Sequence, residues 1–124
     1  MAEYHVNNGE DFIEKASTLT VNDTIILDND IDLNYRTGAI TVKCNIDGKG
    51  HSIYNIQSEN NGIQTEGNTT PPLTINNVSF KNLLSLSQTG NFMVAIGSSA
   101  GATFENCQFQ GKWGLLAGHS FTTS

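Results

Sequence analysis

The chain has 124 residues, 37% of them hydrophobic, which is enough for one domain with its own core. Twelve acidic residues against six basic ones give a net charge of -6, and no cluster of Lys and Arg is present. This composition excludes the basic surface needed to bind nucleic acid or an anionic lipid surface. No segment is apolar for long enough to insert in a membrane, and the start lacks a signal-peptide pattern, so we expect a soluble single domain over residues 1–124.

The first predicted element is a helix near residues 9–17, inside an N-terminal cap that covers about residues 1–20. Asn8 can cap the helix, and the acidic side chains of Glu10 and Asp11 fall in its first turn, where negative charge suits the helix dipole. The apolar face of the helix is formed by Phe12, Ile13 and Ala16. This face is expected to cover the first strands of the domain.

Short apolar runs bounded by Gly, Asn, Asp or Thr predict strands through most of the remaining chain, over 21–117, with a tail at 118–124. These runs lie at residues 24–27, 31–33, 40–42, 92–96 and 114–117. The polar segment from Ser58 to Pro72 is expected to project as a loop. Loops on rigid scaffolds often carry binding, so this segment is a candidate contact surface.

One motif recurs three times, at residues 52–60, 74–82 and 103–111, with offsets of 22 and 29 residues. In each copy an Asn interrupts the apolar alternation, so the residues on either side can both face inward only if the backbone bends there. Stacked copies would form an asparagine ladder of Asn55, Asn77 and Asn106. The interior stack beside this ladder would consist of Ile53, Ile75, Phe80, Phe104 and Phe109.

Five stretches carry a further pattern of short polar turns and apolar strands, at residues 6–13, 22–27, 30–33, 46–53 and 73–80. Together they resemble the N-terminal part of the right-handed parallel β-helix (pectate-lyase-like) superfamily, which includes surface adhesins and phage tailspike or appendage proteins. The resemblance implies an all-β fold: a short right-handed parallel β-helix, which is a single-stranded solenoid, with a small N-terminal capping α-helix.

The resemblance does not extend to the active sites of that superfamily, whose enzymes place charged catalytic residues on adjacent rungs. Here the matching outward positions of the three copies hold Tyr54, Asn76 and Glu105, which form no such cluster. We therefore expect no enzyme activity, no catalytic residues and no cofactor. Asp32 and Asp47 are one carboxylate pair that could face each other across neighbouring rungs for glycoside cleavage. Nothing in the sequence marks either carboxyl group as an acid.

Asp28, Asp30 and Asp32 alternate along the chain, so on an extended strand their carboxylates would share one face. Such a face could hold calcium through oxygen ligands, and these three residues are weak metal candidates beside the simpler interpretation of a solvated strand face. Cys44 and Cys107 are too few for a disulfide framework and are expected to be free, buried thiols.

The C-terminal segment contains four large apolar residues but no amphipathic helix to close the stack. An uncovered final strand is a hazard that proteins normally cover. One interpretation is pairing with a partner through Trp113, Leu115, Leu116 and Phe121. The other is that residues 118–124 fold back as the chain's own cap.

These observations favour a non-enzymatic structural or binding protein. The resemblance points to a phage virion component, such as a capsid decoration, head fibre or tail appendage, which forms a homo-oligomer, preferably a trimer, or docks to a capsid or tail protein. The alternative is a carbohydrate-binding or carbohydrate-cleaving module that uses the Asp28, Asp30 and Asp32 face, with calcium as an aid and a glycan as partner. A third interpretation is an N-terminal piece of a longer adhesin.

Overall fold

The computed structural model describes residues 2–35, 40–58, 63–66, 69–85, 94–95, 102–111 and 116–117. These residues form one helix, α1 (Gly9–Thr18), and thirteen short strands. The strands are β1 (Ala2–Val6), β2 (Asp23–Leu27), β3 (Ile31–Asp32), β4 (Ile40–Val42), β5 (Asn45–Asp47), β6 (Ser52–Ser58), β7 (Ile63–Thr65), β8 (Leu73–Asn76), β9 (Ser79–Ser85), β10 (Val94–Ala95), β11 (Ala102–Glu105), β12 (Gln108–Gly111) and β13 (Leu116–Ala117).

The helix α1 confirms the first predicted element and its cap. The Asn8 side chain accepts a hydrogen bond of 2.8 Å from the Asp11 backbone N–H, which satisfies one of the N–H groups left open at a helix start. Phe12 and Ala16 are fully buried, so the predicted apolar face does pack into the core. The helix ends at Thr18, after which Leu19 is extended and donates its N–H to the Lys15 carbonyl.

The strands form three sheets in which every pairing is parallel. Sheet 1 has the order β1-β2-β5-β8-β11, sheet 2 the order β13-β10-β7-β4, and sheet 3 the order β12-β9-β6-β3. From β2 onward, two neighbours in a sheet are separated in the chain by one strand from each of the other sheets. Buried side chains from the three sheets and from α1 meet in a single apolar cluster, which is the core of the protein.

The predicted fold class is corrected by this arrangement. The sequence predicted an all-β, single-stranded right-handed β-helix in which a small helix serves only as a cap. The structure distributes its described strands over three separate parallel sheets, of five, four and four strands, and α1 contributes fully buried side chains to their shared core. The class observed is therefore one of parallel sheets combined with a helix, closer to an α/β arrangement.

The physical reason lies in the register of the repeat. The 22-residue offset aligned Ile53 with Ile75, but these residues belong to different sheets. Ile53 pairs with Ile31 and Phe80 in sheet 3, whereas Ile75 pairs with Ile46 and Phe104 in sheet 1. A local Asn-centred pattern occurs in both sheets, so it did not distinguish one column of strands from another.

The segment from Ser58 to Pro72 is also different from its prediction as a projecting loop. Ser58 still belongs to β6, and residues 63–65 form β7, which pairs with β4 and β10 in sheet 2. Ile63 and Thr65 are buried there. A single Ile in a polar stretch is a weak strand signal, because its partners are supplied by residues distant in sequence.

The predicted strands at 24–27, 31–33 and 40–42 are confirmed as β2, β3 and β4, with shifts of at most one residue at their ends.

Candidate functional site

The strands of sheets 1 and 3 are joined by tight turns, which stack beside one another to form what we call the 1–3 corner. Its later turns contain Lys49, Asn77 and Asn106, all with positive φ angles of 51° to 56°. Asn adopts this left-handed conformation more readily than most residues, so the bend predicted at the asparagines is present. Backbone bonds hold the turns together: Gly50 donates its N–H to the Asn77 carbonyl at 2.8 Å.

A chain of side-chain hydrogen bonds runs along this corner. Asn106 donates its amide N–H to the Asn77 side-chain oxygen at 3.3 Å, and Asn77 donates to Asp47 Oδ1 at 3.4 Å. The same Asp47 oxygen accepts the backbone N–H of Lys49 at 3.0 Å. Two of the three predicted ladder residues are therefore brought together, with the Asp47 carboxylate next in the chain of bonds.

The third ladder residue, Asn55, lies in β6 of sheet 3. It has a positive φ of 60° and donates its amide to Asp32 Oδ1 at 2.9 Å. The role of Asp47 was missed in the sequence because that residue is not Asn. Asp47 is the register partner of Asn76, which lies 29 residues later, so applying the offset of the last two motif copies to the residues before Ser52 would have found this column.

An open polar groove of about 590 Å³ lies on the outside of the 1–3 corner, and we call it the corner groove. It is lined by Lys49, Gly50, Asn77, Ser79, Lys81, Asn106 and Gln108. The groove therefore combines two ammonium groups with amide and hydroxyl groups. Lys49 Nζ lies 3.4 Å from Asp47 Oδ2, which helps to hold the Lys49 side chain at the corner.

The three aspartates suggested as metal ligands are exposed at the N-terminal end of the same corner. They do not share a strand face, because β3 contains only Ile31 and Asp32, and Asp28 and Asp30 precede it. Each carboxylate has its own partners. Asp28 Oδ1 lies 2.6 Å from His5 Nδ1, and Asp30 Oδ1 accepts the Ser52 backbone N–H at 2.9 Å.

Asp32 accepts the Asn34 backbone N–H at 2.7 Å, in addition to the Asn55 amide. Across the described parts of the chain, no group of three or more His, Cys, Asp or Glu residues is placed to hold a metal ion. The three carboxylates therefore lack the common strand face that the calcium hypothesis required, and each instead forms its own hydrogen bonds at the corner.

Both cysteines are free and buried, as predicted. Burial raises the pKa of the Cys44 thiol to about 12 and that of the Cys107 thiol to about 11. Cys107 Sγ donates to the Ile75 carbonyl at 3.4 Å and lies 3.3 Å from the Glu105 carbonyl. A nucleophilic cysteine needs a lowered pKa, so these thiols have the properties of core side chains.

The predicted interior stack is present as two separate columns. Ile75 and Phe104 are register partners in sheet 1, while Ile53, Phe80 and Phe109 follow one another in sheet 3. The Phe80 and Phe104 rings meet across the core, with centroids 6.2 Å apart and planes inclined at 60°. The Phe109 side chain lies outside the described part.

The outward positions that the sequence placed in one row are also divided. Tyr54 pairs with Lys81 in sheet 3, whereas Asn76 pairs with Glu105 in sheet 1. The expected common position of Tyr54, Asn76 and Glu105 is therefore wrong, for the same reason of register.

Among the described strands, β11 and β12 form the far ends of sheets 1 and 3, and we call this pair of strands the C-terminal edge. Ala102, Phe104 and Cys107 at this end are at most 1% exposed, so their apolar side chains are covered within the single chain. The outward side chains are Thr103, Glu105, Gln108 and Gln110, of which one is charged.

The predicted partner contacts can be placed only in part. Trp113, Leu115 and Phe121 lie outside the described residues, as does the tail at 118–124. Leu116 belongs to β13, which pairs with β10 in sheet 2, although its side chain is not described. The sequence interpretation of an uncovered final strand did not anticipate that the Phe104 side chain is buried within the single chain.

No family model matches the chain, and no curated protein or solved structure matches it either. Within the described ranges, no helix has the length and apolar character required to cross a membrane.

Proposed function

We propose that this protein is a non-catalytic structural protein that assembles with further copies of itself through the C-terminal edge. The observation that carries the proposal is that β11 and β12 are the last of the described strands in sheets 1 and 3. A terminal strand directs half of its peptide groups away from its neighbour, and such an edge is a template for pairing with another chain.

The side chains at this edge favour a second copy as the occupant. Natural edge strands are usually protected by charged residues, but Thr103, Gln108 and Gln110 are neutral and can form hydrogen bonds with the same residues of another copy. In a chain with a net charge of -6, self-association requires a surface of low charge, since copies otherwise repel one another. The C-terminal edge, with Glu105 as its one outward acidic residue, meets this requirement.

The opposite end of the molecule is less suited to such pairing. Its terminal strand β1 carries Glu3 and His5 outward, and the aspartates of the 1–3 corner lie close by, with His5 bonded to Asp28. The helix α1 also packs there against β1, β2, β3 and β4. Because Phe104 is already buried at the C-terminal end, the gain from pairing would come from backbone hydrogen bonds more than from apolar burial.

The proposal includes a role as a phage virion component, in which repeated copies would decorate or extend a particle. This part is supported by the sequence resemblance to phage appendage proteins alone. Assembly of copies is the physical property that such a role requires, and it can be measured on the isolated chain.

The test is the molar mass of the purified protein, measured by multi-angle light scattering over a wide range of concentrations. The wild type is expected to form a dimer, since an edge that pairs with the same edge of another copy closes at two copies. Thr103→Lys is expected to shift the mass towards the monomer, because the two-fold symmetry brings like charges together at the edge. Thr74→Lys is the matched control, since Thr74 is the register partner of Thr103 one strand further in. A monomeric wild type, or equal effects of both variants, would refute the proposal.

A further inference from the structure

We propose that the corner groove binds an anionic saccharide, with its acid group between Lys49 and Lys81 and its hydroxyl groups on the surrounding amides. This site is separate from the C-terminal edge and does not depend on assembly. The proposal combines three observations: where the positive charge is concentrated, what lines the groove, and how firmly its walls are held.

The charge distribution points to an anion. The chain has only six Lys and Arg residues against twelve Asp and Glu, yet two of the six line this one groove. Lys81 is exposed on the outer face of β9, and Lys49 is exposed at the corner. The net charge of -6 repels anions from most of the surface. Because Asp47 Oδ2, 3.4 Å from Lys49 Nζ, offsets part of the Lys49 charge, Lys81 supplies most of the local positive charge that attracts an anion to this groove.

Two other grooves show the contrast. One, of about 520 Å³ on the outer face of sheet 1, is lined by Glu3 and Asp47 together with neutral residues. Another, of about 490 Å³ beside the start of α1, is lined by Glu10 and Asp32. In the part of the chain that the structure describes, neither groove has a basic residue in its wall. An acidic ligand is therefore directed to the corner groove and away from these two.

The lining of the corner groove favours a saccharide over an acidic peptide. Apart from the two lysines and Gly50, its walls are the amides of Asn77, Asn106 and Gln108 and the hydroxyl of Ser79. Amides offer both donors and acceptors, which match neighbouring hydroxyl groups of a sugar ring. Among the described residues, no aliphatic or aromatic side chain lines this groove to receive the apolar side chains of a peptide.

The walls are held in place before any ligand arrives. The Asn106 and Asn77 amides are oriented by the chain of bonds that leads to Asp47. The Ser79 backbone N–H is bound to the His51 carbonyl at 3.1 Å, and Gly50 N–H to the Asn77 carbonyl. Binding would therefore lose little conformational freedom in the protein, which favours affinity for a small polar ligand.

Access to the groove is open at Gly50. A Cβ atom built on this glycine meets no atom within 4 Å, so the space directly beside the turn is open. By contrast, a Cβ on Gly48 would clash with the Asn77 carbonyl oxygen, which shows that the inner side of the same turn is closely packed. The ligand is thus expected on the outer side of the turn, between the two lysines.

The test is titration of the full chain, by NMR chemical shifts and calorimetry, with four probes. These are a sulfated disaccharide, a disaccharide that contains a uronic acid, a neutral disaccharide of the same size, and inorganic sulfate. An acidic peptide of similar charge is added as a fifth. The proposal expects binding of at least one acidic disaccharide, with shifts at Asn77, Asn106 and Gln108, and weaker binding at higher salt.

Two variants sharpen the test. Lys81→Gln removes one charge from an exposed position, and an affinity loss of about fivefold is expected, in line with exposed charge pairs. Lys49→Asn should give a smaller loss, because Asp47 already offsets part of the Lys49 charge, and it preserves the left-handed turn, since Asn tolerates positive φ. The matched control is Lys43→Gln, which makes the same charge change at a partly buried lysine away from the groove and should leave affinity unchanged.

The possible results of these titrations test the site, the role of the lysines and the class of ligand separately. Binding of an acidic disaccharide that weakens in both groove variants and not in the control supports the site. Equal binding of the neutral disaccharide overturns the role of the lysines. Equal or tighter binding of inorganic sulfate or of the acidic peptide overturns the assignment to a saccharide, and no binding by any probe overturns the site itself.

Discussion

At the end of the molecule that holds β1, the helix α1 covers the core with Phe12 and Ala16, and the outer strand carries Glu3 and His5, with Asp28 hydrogen-bonded to His5. At the opposite end, β11 and β12 also enclose buried side chains, but their outward residues are mostly neutral. The two ends are thus equally closed in their interior and unequal in the character of their edges. Core stability and the capacity for assembly are therefore determined by separate groups of residues.

The largest expected effects on stability test whether the core is packed equally tightly at the two ends of the molecule. Phe12→Ala and Phe104→Ala each remove a ring that is at most 1% exposed, and each should lower the free energy of unfolding by about 3 to 5 kcal/mol. The measurement is urea unfolding followed by circular dichroism. Glu14→Ala, at an exposed helix position, is the control and should change stability by less than about 0.5 kcal/mol. A small effect of Phe104→Ala alone would show that the far end is loosely packed.

The next prediction concerns the contact between α1 and β3 at the helix-covered end. An Ala at a helix position is ordinarily better than Gly by up to about 1 kcal/mol. At Gly9, however, a Cβ would lie 2.5 Å from the Asp32 carbonyl oxygen, which is backbone and cannot easily move. Gly9→Ala should therefore destabilise the protein by about 1 to 3 kcal/mol in urea unfolding.

Ser17→Ala, at an exposed position near the other end of the same helix, provides the reference for this measurement and should have little effect. A gain in stability for Gly9→Ala would mean that the helix is not seated closely against β3.

The smallest expected effect on stability comes from the buried thiols of Cys44 and Cys107, one near each end of the molecule. Burial raises the pKa of Cys44 and of Cys107 above the ordinary value of 9.0, to about 12 and about 11. Above pH 9 the unfolded chain therefore loses these protons while the folded chain keeps them, so the thiols favour unfolding as pH rises. Their stabilising contribution is complete below pH 9 and is lost towards pH 11, at a cost on the order of 1 to 2 kcal/mol for each thiol.

This loss can be followed by urea unfolding at a series of pH values between neutrality and pH 10.5. Cys44→Ala and Cys107→Ala should each make the decline less steep, and the double variant should make it less steep than either. Equal slopes in the wild type and the double variant would show that other groups cause the decline.

Much of the local structure could be predicted from the sequence, because it depends on neighbouring residues. Asn8 followed by acidic residues and the apolar face of Phe12 and Ala16 identified the helix and its cap, and the left-handed bends at Asn77 and Asn106 followed from the broken alternation. The register between strands could not be predicted in the same way. It depends on contacts between residues that are 22 residues apart in the first turns of the chain and 29 apart later.

The corner groove illustrates the same limit. Lys49 and Lys81 are 32 positions apart and carry no shared motif, so only the stacking of sheets 1 and 3 brings them to one surface. The sequence instead drew attention to three aspartates that alternate in the chain, and these lose their common face because β3 is only two residues long. A surface formed by turns requires the strand register to be known before its residues can be named.

Hydrogen exchange measured by mass spectrometry distinguishes the two edges by their ability to pair. The exchange of peptides that cover Ala102–Glu105 and Ala2–Val6 would be compared at low and high protein concentration, across the range in which the molar mass rises. We expect exchange to slow at Ala102–Glu105 as copies assemble, while Ala2–Val6 is unchanged. Slowing confined to Ala2–Val6, or equal at both strands, would show that the C-terminal edge is not the pairing surface.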